Sequence, residues 1–143
     1  MNIAFVFPGQ GSQSVGMGQE LAEVFPVARQ IFEEIDDALG QSLSRIMFEG
    51  PIDELTLTEN AQPALMAVSI AIMRVLEKEG GLDIASVAKF VAGHSLGEYS
   101  ALTAAKSFGV IDAARILKVR GTAMQEAVPI GEGGMAAILG VEM

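Results

Sequence analysis

The sequence contains no cysteine and no tryptophan, and only one histidine and one tyrosine. Without cysteine there is no disulfide framework, no thiol nucleophile and no thiolate-bound metal. A lone histidine, His94, excludes a multi-histidine metal site within these residues. Both absences fit a reducing cytoplasm, the expected location. Basic residues are also scarce, 9 against 18 acidic ones, for a net charge of −9. That balance argues against nucleic acid as a partner. The imbalance is uneven: residues 1–73 hold ten acids and two bases, residues 74–143 eight acids and seven bases. An anionic substrate is therefore expected at the second half. Long hydrophobic runs are missing too. The longest, residues 64–73, is followed by Arg74 and is too short to span a bilayer. The apolar run at residues 3–7 is cut by Pro8-Gly9 and has no basic segment before it, so no secretory signal is read. A soluble, intracellular chain with no membrane partner is the expectation.

What is present reads as a folded α/β domain. Half of the 143 residues are apolar, enough for a sizeable core. Residues 3–7 form a short continuous apolar run, the pattern of a buried parallel strand. A glycine-rich loop follows, with glycines at 9, 11, 16 and 18. Amphipathic helices are expected over 19–25 and 27–39, with Pro26 at a first helical position. Glu49-Gly50-Pro51 is a turn. Residues 61–78 read as a long helix, apolar on nearly all sides over 64–73 and hence central, ended by Gly80-Gly81. A second buried strand is expected at 90–92, helices at 96–106 and 111–127, a linker at 128–134 and a third strand at 135–141. Alternating strands and helices define an α/β protein with a mostly parallel sheet. The last strand has nothing after it to pair with, so the chain is expected to be the front part of a longer or split polypeptide.

Gly93-His94-Ser95-Leu96-Gly97 lies between an apolar strand and a helix-forming segment. Gly-x-Ser-x-Gly in that context matches a nucleophile elbow, where serine sits on a sharp turn and the glycines let neighbouring backbone approach. The Leu96 amide, at the start of a helix, faces an oxyanion position. The alternative is a plain strand-to-helix turn with glycines for packing. A serine nucleophile needs a base. His94 is adjacent to Ser95 and should point to the opposite side, so the base is expected outside these residues.

Two further segments bear on chemistry. Pro8-Gly9-Gln10-Gly11-Ser12-Gln13 leaves the first strand on the side where parallel-sheet crevices form, and its amides offer a second oxyanion donor. A phosphate-binding reading fails for want of Gly-Lys-Ser/Thr, and a dinucleotide reading because Ser14 stands where the third glycine belongs. Arg120 falls on a helical stripe with Ala113, Ile116, Leu117, Ala123, Met124 and Ala127. A guanidinium there needs a partner. Either it binds a ligand, or it is structural, paired with Glu98 or extending outward to water.

Taken together, Phe5-Val6-Phe7-Pro8-Gly9-Gln10-Gly11-Ser12-Gln13, Asn60-Ala61-Gln62-Pro63-Ala64, Gly93-His94-Ser95-Leu96-Gly97-Glu98 and Arg120-Gly121 through Met124-Gln125 resemble malonyl-CoA:acyl-carrier-protein transacylases. The acyltransferase domains of fatty acid and polyketide synthases share the pattern. The resemblance implies an α/β-hydrolase-like parallel sheet flanked by helices, with an inserted ferredoxin-like subdomain. Residues 1–128 would be the front of the large subdomain, and 129–143 the linker and first strand of the small one. It implies transfer of malonyl from malonyl-CoA to the phosphopantetheine thiol of acyl carrier protein in fatty acid biosynthesis, with no cofactor or metal. Ser95 would form the acyl-enzyme, the amides of Gln10 and Leu96 the oxyanion hole, and Gln62 would line the site. Arg120 would clamp the malonate carboxylate, and the family's base, a histidine, lies in its second half. Rival readings are a serine hydrolase, an acyltransferase of another acyl group, and a non-catalytic folding or interaction module.

Overall fold

A computed structural model describes residues 3–128 and 131–133. In chain order these form β1 (Ile3–Phe7), α1 (Gln19–Val24), α2 (Pro26–Leu39), α3 (Leu43–Glu49), α4 (Ile52–Thr56), α5 (Thr58–Lys78), α6 (Ile84–Val87), β2 (Ala88–Gly93), α7 (Gly97–Ala104) and α8 (Val110–Ala127). The result is α/β, with a small parallel sheet and many helices. The strand expected over 135–141 lies outside the described residues, as does part of the linker expected at 128–134.

Local chemistry explains most boundaries. Pro26 opens α2, where its missing N–H leaves no bond unmade. Gly40 closes the helix at φ 59, and its N–H returns to the carbonyls of Asp36 and Asp37. Ala28, Ile31, Phe32 and Ile35 form the buried stripe of α2. The helices α3, α4 and α6 were not expected; each is too short to show a clear helical period.

Helix α5 is the axis of the molecule. It starts at Thr58, three residues ahead of the expected start, and is buried on nearly all sides between Asn60 and Met73. Helices α2, α7 and α8 pack around it. Small residues let α8 come close: Ala113, Ala114 and Gly121 are buried on its inner face. A methyl at Gly121 would stand 2.6 Å from both Glu59 Cα and the Thr58 carbonyl oxygen. Fully buried Met66, Leu96 and Leu117 hold the core, and each contributes about 2–3 kcal/mol by leaving water.

The strands β1 and β2 pair in parallel, with Ala4 opposite Phe90, Phe5 opposite Val91, Val6 opposite Ala92 and Phe7 opposite Gly93. Their continuous apolar runs led to the expectation of strands buried on both faces. Among the described residues only one of the two faces is covered. Phe5, Phe7, Ala88 and Val91 join the core, but Val6 and Phe90 are 76% and 72% exposed. Alternation along a strand sends Ala4 and Val6 to the face opposite Phe5 and Phe7, and the described helices cover only the latter. The same register ends both strands at the level of Phe7 and Gly93, which sets the β1 exit loop beside the β2 exit turn.

Candidate active site

The turn after β2 has the geometry that its glycines require. Ser95 has φ 56, a left-handed conformation rare for a residue with a side chain. A Cβ at Gly93 would lie 1.9 Å from the Gly97 carbonyl carbon and oxygen, so the chain doubles back on itself there. A Cβ at Gly97 would lie 2.4 Å from the Phe7 carbonyl oxygen and 2.7 Å from that of Pro8. Neither position accepts any other residue without moving backbone. The Gly97 amide donates to His94 O at 2.9 Å and the Glu98 amide to Ser95 O at 3.2 Å, which closes the turn into α7. Ser95 itself is exposed, while Leu96 is buried and anchors the helix start.

The loop after β1 lies against this turn. The His94 amide donates to Phe7 O at 3.2 Å. A Cβ at Gly9 would meet His94 Nδ1 at 2.4 Å, so glycine leaves room for the imidazole. The imidazole packs on the Gly9 backbone, and among the described residues no hydrogen bond joins it to Ser95. Gln10 follows directly, its Nε2 donating to Thr58 Oγ1 at 3.3 Å. Among the described residues neither the Gln10 nor the Leu96 backbone amide donates a hydrogen bond. Both amides are thus without an internal acceptor among the described residues.

Arg120 reaches the elbow from α8. Its Nη2 donates to Ser95 Oγ at 3.1 Å, and its Nη1 donates to Gln62 Oε1. Gln62 is completely buried on α5, and its Nε2 points at Met124 Sδ, 3.3 Å away. The guanidinium carbon stands 5.7 Å from the centre of the Tyr99 ring. The expectation that Arg120 occupies the middle of an apolar stripe is corrected. The inner face of α8 is Ala113, Ala114, Leu117 and Gly121, whereas Ile116 and Ala123 are exposed. Arg120 is half-buried on the flank of that face, where its head can reach the Ser95 hydroxyl. Glu98 is exposed, and among the described residues Arg120 makes no ion pair. The structure therefore joins Ser95 and Gln62 through Arg120, with the Gln10 loop packed against the turn.

Several contributors were not anticipated. Tyr99 lies in the first turn of α7, four residues after Ser95, and its ring faces the Arg120 guanidinium. Met124 stands four residues after Arg120 and shares its flank. On the other flank, Lys118 Nζ donates to Gln41 Oε1 at 3.0 Å and Asn60 Oδ1 at 3.1 Å, and stands 3.5 Å from Glu59 Oε2. Thr122 Oγ1 donates to the same carboxylate oxygen at 3.3 Å. These contacts join α8 to the first turn of α5. Among the described residues no group of three or more histidines, cysteines, aspartates or glutamates is placed to hold a metal ion, and no helix is long and apolar enough to cross a membrane.

An exposed serine on a strained strand-to-helix turn is an arrangement suited to acyl transfer. The chain belongs to a family with that chemistry: the family described as acyl transferase domain matches residues 4–142. Within it, the chain is 54% identical over 140 residues to the malonyl CoA-acyl carrier protein transacylase of Bacillus subtilis (strain 168), covering 98% of this chain and 43% of that protein. It is also similar to the crystal structure of acyl-carrier-protein-S-malonyltransferase from Bartonella henselae, with a TM-score of 0.89 and 62% identity over 92% of this chain and 41% of that one. A type II PKS acyl-carrier protein in complex with its malonyl-transacylase gives a TM-score of 0.83 and 48% identity, over 90% of this chain and 40% of the matched chain. The chain thus spans about two fifths of the length of these relatives.

Proposed function

We propose that this chain supplies the nucleophile and the carboxylate clamp of an enzyme that moves malonyl from coenzyme A to acyl carrier protein in fatty acid biosynthesis, acting in the cytoplasm. The observation that carries the reading is Arg120: a guanidinium with no carboxylate partner among the described residues, bonded to the candidate nucleophile. Two of its N–H groups are engaged, by Gln62 and Ser95. The rest of the planar fork remains for a carboxylate, whose geometry it matches. Malonyl differs from acetyl by that carboxylate.

The steps are those of acyl transfer through a serine ester. Ser95 Oγ attacks the thioester carbon of malonyl-CoA, and its proton passes to a general base. The tetrahedral oxyanion is held by the Gln10 and Leu96 amides. The carbon–sulfur bond breaks, the proton goes to the departing CoA sulfur, and malonyl remains as an ester on Ser95. The phosphopantetheine thiol of the carrier protein then repeats the sequence in reverse. No redox cofactor or metal enters. The base is a histidine supplied by the remainder of the family's domain, since His94 packs against Gly9. We also infer an α/β-hydrolase-like sheet, for which the elbow between β2 and α7 is the support.

The test is intact-mass analysis of the full-length protein with malonyl-CoA. The expected result is one malonyl adduct on Ser95 that persists in water and is discharged by a pantetheine thiol. An adduct hydrolysed as fast as it forms would favour a serine hydrolase. Equal labelling by acetyl-CoA would favour an acyltransferase of another acyl group, and no adduct would leave a non-catalytic module.

A further inference from the structure

The contacts of Arg120 divide into two kinds. Gln62 Oε1 and Ser95 Oγ meet the edge of the guanidinium and fix where two nitrogens lie. The Tyr99 ring meets the group from another side, 5.7 Å from ring centre to guanidinium carbon, within the range of cation–π attraction. Edge contacts alone leave the plane free to tilt about the line joining them. A bidentate carboxylate needs that plane held.

Tyr99 is itself held. Its ring stacks on Phe108, with centroids 6.4 Å apart and planes 22° apart. Phe108 lies in the connection between α7 and α8 and packs against the core. Tyr99 is in the first turn of α7 and Ser95 in the turn that leads into it, so adjoining segments carry the nucleophile and the surface beneath the arginine. The ring makes both contacts, and the hydroxyl is not needed for either.

We propose that Tyr99 is a positioning residue for the carboxylate clamp: its ring, braced by Phe108, is the platform that sets the tilt of the Arg120 guanidinium and thereby the preference for carboxylated acyl groups. The proposal rests on the reading of Arg120 as the clamp. An unbraced arginine must lose its side-chain freedom when the carboxylate arrives, and a braced one has already lost it.

The experiment measures kcat/KM for malonyl-CoA and acetyl-CoA in the full-length enzyme with Tyr99→Leu, Tyr99→Phe, Arg120→Ala and the double variant Tyr99→Leu/Arg120→Ala. Tyr99→Leu should lower malonyl transfer about three- to tenfold, the scale of one cation–π contact, with acetyl transfer unchanged within about twofold. Tyr99→Phe should keep the malonyl rate. In the Arg120→Ala background, Tyr99→Leu should have no further effect, because the group it orients is gone. If Tyr99→Leu does not fold, Tyr99→Met carries the same expectation. The platform is overturned if both substrates slow equally, if Phe fares no better than Leu, or if the two losses add. Should Arg120→Ala itself slow both substrates equally, the clamp reading falls first, a result distinguishable from failure of the platform alone.

Discussion

Arg120 on α8 donates through Nη1 to Oε1 of Gln62 on α5, 58 positions earlier in the chain, and Gln62 has no contact with solvent. The pairing fixes the orientation of the buried amide. Its oxygen faces the cation, and its Nε2 is left to the soft acceptor Met124 Sδ. Gln62→Leu keeps the volume and removes the acceptor, which leaves a charged donor unpaired. Hydrogen bonds to charged groups contribute about 1.5–3 kcal/mol, so malonyl transfer should fall at least about tenfold. Steady-state kinetics with malonyl-CoA checks this, and an unchanged kcat/KM would remove Gln62 from the site.

Arg120→Ala should abolish the preference for malonyl over acetyl while leaving acetyl transfer much less affected. Arg120→Lys should recover little, because an ammonium is a point charge that cannot present two parallel donors to a carboxylate. Competition between malonyl-CoA and acetyl-CoA, read by the mass of the acyl-enzyme, gives the ratio directly. Full recovery by lysine would mean that charge alone, and not the fork, selects the substrate.

The approach of α8 to α5 depends on Gly121. A methyl group there would meet the Glu59 Cα and the Thr58 carbonyl oxygen at 2.6 Å, and both belong to backbone that cannot rotate away. Gly121→Ala should destabilise the fold by about 1–3 kcal/mol, the usual cost of overpacking. It should also displace the neighbouring Arg120. Urea unfolding together with the malonyl-to-acetyl ratio measures both effects. A variant as stable as the parent would show that the helices have slack at this crossing.

Lys118 secures the opposite flank of α8 through Gln41, Asn60 and Glu59. Lys118→Met keeps the aliphatic stem and removes three donors, leaving Gln41 Oε1 and Asn60 Oδ1 without this charged partner. A loss of about 1–3 kcal/mol is expected, larger than for a surface ion pair because the head is partly buried. Thermal unfolding of the full-length protein is the measurement. A change within about 0.5 kcal/mol, the range of an ordinary surface substitution, would make the cluster a solvated one.

The elements that position the site were legible because each carries its own punctuation. Pro8-Gly9 ends β1, Pro26 opens α2, and Gly93 and Gly97 bracket Ser95. The residues that complete it were less so. Arg120 stood out as a charge beside apolar neighbours, but its stripe was drawn one step off. A period of 3.6 admits either Ile116 and Ala123 or Ala114 and Gly121, and only the close contact with Thr58 and Glu59 selects the second set. Tyr99 was hidden because a single aromatic at helical spacing from Leu96 and Leu102 reads as core. The open face at Val6 and Phe90 was hidden for the opposite reason: a continuous apolar run is the same string whether one face or two are covered. What packs against a strand is information from elsewhere in the chain.

The φ of 56 at Ser95 makes a prediction that separates function from stability. A residue with a Cβ loses about 1–2 kcal/mol in the left-handed region, whereas glycine enters it freely. Glycine in turn loses about 0.5–1 kcal/mol more backbone entropy on folding. Ser95→Ala keeps the Cβ and hence the strain, while Ser95→Gly relieves it. The difference leaves Ser95→Gly the more stable of the two by about 0.5–1 kcal/mol, although neither retains the hydroxyl of the proposed nucleophile. The Oγ contact to Arg120 is lost in both variants, so it cancels from the comparison. Urea midpoints of the two variants, measured side by side in the full-length protein, decide the matter. If alanine equals or exceeds glycine, the turn holds its conformation without strain at this residue. If glycine wins, the chain keeps a costly backbone at the position where the proposed nucleophile's hydroxyl stands clear of the helix.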